Sequence, residues 1–158
     1  MNYWLIIIIL GAIALTVGPI MMFKPSAREQ RLATLRQSAA QKGIGVRLVS
    51  EKASSSKQPL MVYSKSLPPR SSVGVEWLLL KSTLSHEVNF YQDWDWVDST
   101  QSAPQQYQQA IRHLIRTLDG PIWGIELTHH AVGVWWNEEH LALHQIEELL
   151  DELQAIVI

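Results

Sequence analysis

The chain has no cysteine, so it forms no disulfide, holds no thiolate-ligated zinc and carries no thiol nucleophile. Short motifs of common cofactor chemistry are also missing: no Gly-x-x-x-x-Gly-Lys-Ser/Thr loop, no Gly-x-Gly-x-x-Gly, no Gly-x-Ser-x-Gly and no EF-hand loop. No cofactor is expected from it. Two further absences are local. No charged side chain precedes Lys24, and no Lys or Arg follows Arg116. The second leaves residues 117–158 with eight acidic residues and no basic one to offset them. Residues 24–43, in contrast, carry five basic residues and one acid. A protein that is basic near its start and acidic at its far end does not read as a nucleic-acid binder, which needs a basic patch on the domain.

The uncharged run, Tyr3 to Phe23, is 21 residues. As a helix it would reach about 31 Å, against about 30 Å of bilayer hydrocarbon. Nine positions between Leu5 and Val17 are Leu, Ile or Val, each favourable to insertion. Tyr3 and Trp4 stand at one end, where amphipathic rings prefer the headgroup level. A cleaved signal peptide fits poorly, because no basic residue precedes the run and Ala12-Ile-Ala14 would cut it in half. Residues 3–23 are therefore expected to be a transmembrane helix. Lys24, Arg28, Arg31 and Arg36 come after it as lipid-facing cations, on a basic juxtamembrane helix over 24–43. The positive-inside rule then places the N-terminus outside and the remaining chain, 44–158, in the cytoplasm. The opposite topology would make this an envelope component of the periplasm.

Ser26-x-x-Glu29 has the capping-box spacing, Leu32, Leu35 and Ala39 recur at helical intervals, and Gly43 suits the end of that helix. The period then changes to that of strands. Residues 45–50, 60–66, 73–80 and 88–97 read as four strands, with Ser54-Ser55-Ser56 in a loop and Pro68-Pro69 in a turn. Ser102-x-x-Gln105 and Pro104 open a helix with Tyr107, Ile111, Leu114 and Leu118 on its apolar stripe and Gly120 past its end. Residues 123–128 and 132–136 read as a hairpin around His129-His130. Asn137 is expected to cap a last helix, with Leu143, Ile146, Leu150, Leu153 and Val157 on its buried face. The fold class expected is α+β: a mainly antiparallel sheet of five to six strands with two or three helices behind the N-terminal span.

Candidate sites are few. His140 and His144, four apart on the expected helix, would share a face, and Glu148 one turn on could complete a metal set. Leu141 stands where a His-Glu-x-x-His motif needs its Glu, and the plain alternative is a solvated acidic face. His129-His130 shows no nucleophile nearby in sequence. Of seven tryptophans, Trp94, Trp96, Trp135 and Trp136 are the candidates for a partner-binding surface. Trp135 and Trp136 must point to opposite faces of a strand, so one of them has no automatic place in the core. A Trp-rich core is the competing reading.

Lys24-Pro25-Ser26, Arg31-Leu32-Ala33-x-Leu35-Arg36, Gly43-x-Gly45-Val46 and Val132-Gly133-Val134-Trp135-Trp136-Asn137-Glu138 together resemble a group of small bacterial single-pass inner-membrane proteins. The first 35 residues also resemble the translocase accessory subunit YajC in anchor and exit. The resemblance implies the bacterial inner membrane and assigns no catalytic residue. The expected function is a membrane-tethered accessory or scaffold module that binds a membrane-protein partner. The alternative is a membrane-bound, metal-dependent hydrolase using His140, His144 and Glu148.

Overall fold

A computed structural model of the protein describes residues 3–22, 25–49, 59–69, 74–82, 90–118 and 120–158, with backbone alone for 16–22. Lys24, Val73, Val88 and the serine loop at 54–56 lie outside the described residues. The chain divides into two units, residues 1–34 and 35–158. In the first, helix α1 runs from Tyr3 to Met22, and every side chain from Tyr3 to Leu15 is exposed. Among the described residues no helix is long and apolar enough to cross a membrane. The described side chains of α1 stop at Leu15, whereas its backbone stays helical to Met22.

Helix α2, Ala27–Gln41, starts as its sequence dictates. Ser26 N–H donates to Glu29 Oε2 (2.6 Å), and Glu29 N–H donates to Ser26 Oγ (3.2 Å), which satisfies two orphan donors of the first turn. The same bonds hold the Glu29 carboxyl below its ordinary pKa. At the other end Gly43 adopts φ 75°, and Ile44 N–H reaches back to the Ala39 carbonyl while Gly43 N–H reaches Ala40. That is a Schellman turn, and its left-handed position suits glycine.

Six strands are formed by the rest of the described chain: β1 Gly45–Leu48, β2 Met61–Ser66, β3 Trp77–Lys81, β4 Trp94–Trp96, β5 Ile122–Leu127 and β6 Ala131–Trp136. Helix α3, Gln105–Thr117, lies between β4 and β5, and helix α4, Leu143–Val157, ends the chain. The sheet order is β1-β2-β6-β5-β3-β4, with every neighbouring pair antiparallel. The protein is therefore α+β with a six-stranded antiparallel sheet. The β5–β6 hairpin turns at His129-His130 as its spacing predicts. Trp123 is an extra residue in β5, because Trp136 pairs with Ile122 and Trp135 with Gly124.

One face of the sheet carries the row Val46, Tyr63, Val134, Ile125, Leu79 and Trp96. Against it pack Ala39 of α2, Ile111, Leu114 and Ile115 of α3, and Ile146, Leu150 and Leu153 of α4, forming the main core. The other face carries a second cluster of Val49, Leu60, Val62 and Trp135, flanked by Leu78, Leu80 and Trp123. Among the described residues only strands and their flanks contribute to it.

Three elements depart from the sequence reading. The fourth strand shrinks from 88–97 to Trp94–Trp96, because Tyr91 and Trp94 bond to each other around Gln92 at φ 52° and fold the run into a turn. The third strand begins at Trp77 rather than at 73. The last helix begins at Leu143, so Asn137 does not cap it; Gln145 Oε1 accepts from Ala142 N–H (2.9 Å) instead. Residues 137–142 form a loop in which Glu138 and His140 take positive φ and Asn137 Oδ1 accepts from Glu139 N–H (3.1 Å). Glu138, at φ 61°, accepts from Arg36 Nε (2.7 Å) and from Tyr63 Oη (2.7 Å). A non-glycine residue in that region costs on the order of 1–3 kcal/mol, which the buried bonds offset.

Burial and the neighbouring Glu138 raise the Tyr63 pKa above its ordinary 10.0. The folded state then keeps its phenol proton where the unfolded chain loses it, so this contribution is present below pH 10 and is lost as pH rises beyond it. Tyr63→Phe is expected to cost about 1 kcal/mol at neutral pH. Its stability should fall less steeply than wild type above pH 10, as read by denaturant titration of tryptophan fluorescence at several pH values.

Candidate functional site

The edge strand β4 and helix α3 build the part of the domain richest in unspent polar groups. Among the described strands β4 pairs only with β3, and on its other side Trp94 N–H and C=O bond to Tyr91 while Trp96 N–H donates to Asp95 Oδ1 (2.8 Å). Trp96 on that strand is half-buried and meets Trp77 edge-on (5.6 Å between centroids) and Phe90 at a tilt (4.7 Å). Val97, just past the strand, is 59% exposed. Trp77 Nε1 is buried with no acceptor among the described residues, an omission that costs roughly 1–3 kcal/mol.

Helix α3 has an apolar face in the core and a polar face with no acidic residue in the whole helix. Gln105, Gln108, Gln109, Arg112, His113 and Arg116 are the described lining of a cleft of about 540 Å³. Two aromatic rings lie under the guanidiniums. Arg112 Cζ is 4.9 Å from the Phe90 centroid, and Arg116 Cζ is 5.4 Å from that of Tyr91. Arg116 Nε also donates to Tyr91 Oη (2.8 Å). These contacts fix the direction of both forks and leave their remaining N–H donors unused.

Of the tryptophans singled out from the sequence, Trp94, Trp135 and Trp136 are buried, and Trp96 is half-buried. Trp135 and Trp136 do face opposite ways, and each finds its own cluster: Trp136 joins the main core beside Tyr63, and Trp135 the second one. Arg28 and Arg31 are exposed, whereas Arg36 is turned to Glu138 of the domain. His140 lies in the loop before α4 at φ 61° with its side chain 81% exposed, so it shares no helical face with His144. Glu148 is exposed on α4. Among the described residues no group of three or more His, Asp or Glu side chains converges on a metal position. His129 is tied to Glu76, whose carboxyl is held below its ordinary pKa by that contact.

Sequence reading missed the one charged residue that is buried among the described residues, Glu126. Its carboxylate accepts from Trp135 Nε1 (2.8 Å) and from Arg47 Nη2 (2.7 and 2.8 Å), across the strands between β5 and β1. Gly133 makes that crossing possible: a Cβ there would lie 2.7 Å from Glu126 Cγ and 2.8 Å from Oε1. The signal was present in Gly133 but needed the β5–β6 register, which pairs it with Glu126. No family model, curated protein or solved structure matches this chain.

Gly133→Ala is expected to lower stability by about 1–3 kcal/mol, because the Glu126 side chain is held at its far end and cannot yield freely. Thermal unfolding of Gly133→Ala, Glu126→Ala and Gly133→Ala/Glu126→Ala checks the cause: the two costs should fall short of adding, and simple additivity means the crowding is not with Glu126.

Proposed function

We propose that the protein is a membrane-tethered accessory module that holds its α+β domain in the cytoplasm and binds a protein partner at the β4 edge. The observation that carries the binding half is the aromatic cluster beside that edge. A half-buried Trp96, set against Trp77 and Phe90, and an exposed Val97 offer an apolar anchor for a partner side chain. The buried Trp94, Trp135 and Trp136 act behind that surface by stiffening the sheet rather than by touching the partner.

The tether half rests on the sequence: the uncharged run Tyr3 to Phe23 would reach about 31 Å as a helix, against about 30 Å of bilayer hydrocarbon. Lys24, Arg28 and Arg31 then favour the cytoplasmic side for the remainder of the chain. The resemblance to small bacterial inner-membrane proteins supports the same compartment.

Two measurements test this reading. The full chain should stay with membranes through alkaline carbonate washing and should be inactive as a C-terminal alkaline phosphatase fusion. Release by carbonate, or an active fusion, contradicts the tether or its orientation. A stoichiometric protein recovered with the tagged chain from mild detergent should be lost in Val97→Lys and Trp96→Ala, both at or near the surface. Retention in both variants rules out the β4 edge.

A further inference from the structure

The polar face of α3 breaks a rule of helix design without an evident structural gain. Arg112 and Arg116 are four apart, so they are neighbours on one face roughly 5–6 Å apart at Cβ, and His113 stands beside them. Like charges at that spacing oppose helix formation by a few tenths of a kcal/mol. α3 has no acid to relieve them, and among the described residues neither guanidinium is paired with a carboxylate. Arg36 of α2, Lys42 just past it and the described basic residues of the strands differ. Arg36, Lys42, Arg47, Lys65 and Lys81 each meet a Glu or Asp. Among the described residues, only α3 holds two arginines stacked on aromatic rings, oriented and unneutralised. Rings fix a guanidinium without consuming its charge or its outer donors.

We infer that the α3 cleft is a binding site for a phosphate-bearing anion, gripped by Arg112 and Arg116 and recognised beyond the phosphate by the glutamine amides. Two adjacent forks present more donors than one carboxylate can accept. A phosphate monoester offers three free oxygens and a charge of about −1.5 to −2, and a phosphodiester headgroup two free oxygens and about −1, so either can accept from both forks together. Gln105, Gln108 and Gln109 continue the cleft along the helix and can donate to or accept from hydroxyl groups on the rest of the ligand. The described lining lies along one face of α3, so the site is an open surface groove that leaves much of a bound ligand in water. The same chemistry is met by the headgroup of an acidic phospholipid and by a soluble phosphate ester. This site is separate in its chemistry from the β4 edge and stands or falls independently of the partner bound there.

The test uses the full chain in an uncharged detergent, titrated calorimetrically with glycerol 1-phosphate and with inorganic phosphate. The chain is also placed in nanodiscs of phosphatidylcholine with and without phosphatidylglycerol, and hydrogen exchange of the α3 amides is followed. Saturable binding of glycerol 1-phosphate, weakened at least tenfold in Arg112→Gln/Arg116→Gln, establishes a site for a soluble ester. Protection of α3 that needs phosphatidylglycerol and is lost in the same variant establishes a headgroup site. Both positions are exposed, so the variant should remain folded, which its circular dichroism and a cooperative unfolding transition check. Arg112→Lys/Arg116→Lys should bind more weakly than wild type if the forks matter and not merely the charge. The inference is overturned if neither probe binds, if the glutamine variant binds as wild type does, or if a poly-glutamate peptide binds while both phosphates fail.

Discussion

The β5–β6 hairpin occupies the middle of the sheet, hydrogen-bonded to β2 on one side and β3 on the other. Its two strands supply Ile125, Leu127, Val132, Val134 and Trp136 to the helical face and Trp135 to the opposite one. Strands that arrive earlier in the chain, β2 and β3, are joined in the sheet only through it. The β1–β2 pair and the β3–β4 pair each lack a covered face until the hairpin joins them. The β2–β6 and β3–β5 pairings thus join segments far apart in sequence, which carries a loop-closure cost before the sheet is complete. Its one-residue bulge at Trp123 matters for the same reason. The shift in register lets Ile122 face the helices while Trp123 joins the second cluster.

Two carboxylates, one on each face, fasten this centre to its surroundings. Glu126 reaches from β5 over Gly133 to Arg47 on the β1 edge. Glu138, just beyond β6, collects Arg36 of α2 and Tyr63 of β2. Burying an ion pair is not by itself a source of stability, since desolvation opposes the attraction. What such pairs do supply is uniqueness of arrangement, because leaving either carboxylate unpaired is far costlier than any alternative packing of apolar groups. Lys42–Glu147 and Lys65–Asp151 add exposed ties from α2 and β2 to α4, each contributing little on its own. They also explain half of the acidic face of α4 as structure.

Once those pairings are subtracted, the unneutralised charge of the domain stands out on α3. Arg112 and Arg116 are oriented by rings of the segment leading into β4, the same segment that supplies the Trp96–Phe90 cluster. The proposed partner edge and the proposed anion cleft therefore share Phe90 as a common support. The proposed tether would raise the effective concentration of lipid headgroups and membrane partners at both proposed sites.

The amino-acid sequence by itself determined the local events. Ser26 and Glu29 start α2, Gly43 ends it, and the apolar periods of α3 and α4 appear as buried faces, since each depends on neighbours three or four residues away. The hairpin at His129-His130 and the opposite aims of Trp135 and Trp136 follow equally from the two-residue period of a strand. Tertiary structure decided where Glu138 goes, because Arg36 and Tyr63, distant in sequence, converge on its carboxylate, while the loop it sits in delays α4 to Leu143. It also separated His140 from His144, found cores for both Trp135 and Trp136, and placed Phe90 and Tyr91 beneath Arg112 and Arg116. The physical reason is the same in each case. Capping and periodicity are energies of adjacent residues, whereas charge pairing and ring stacking depend on which strands become neighbours, and that order is set by the whole sheet at once.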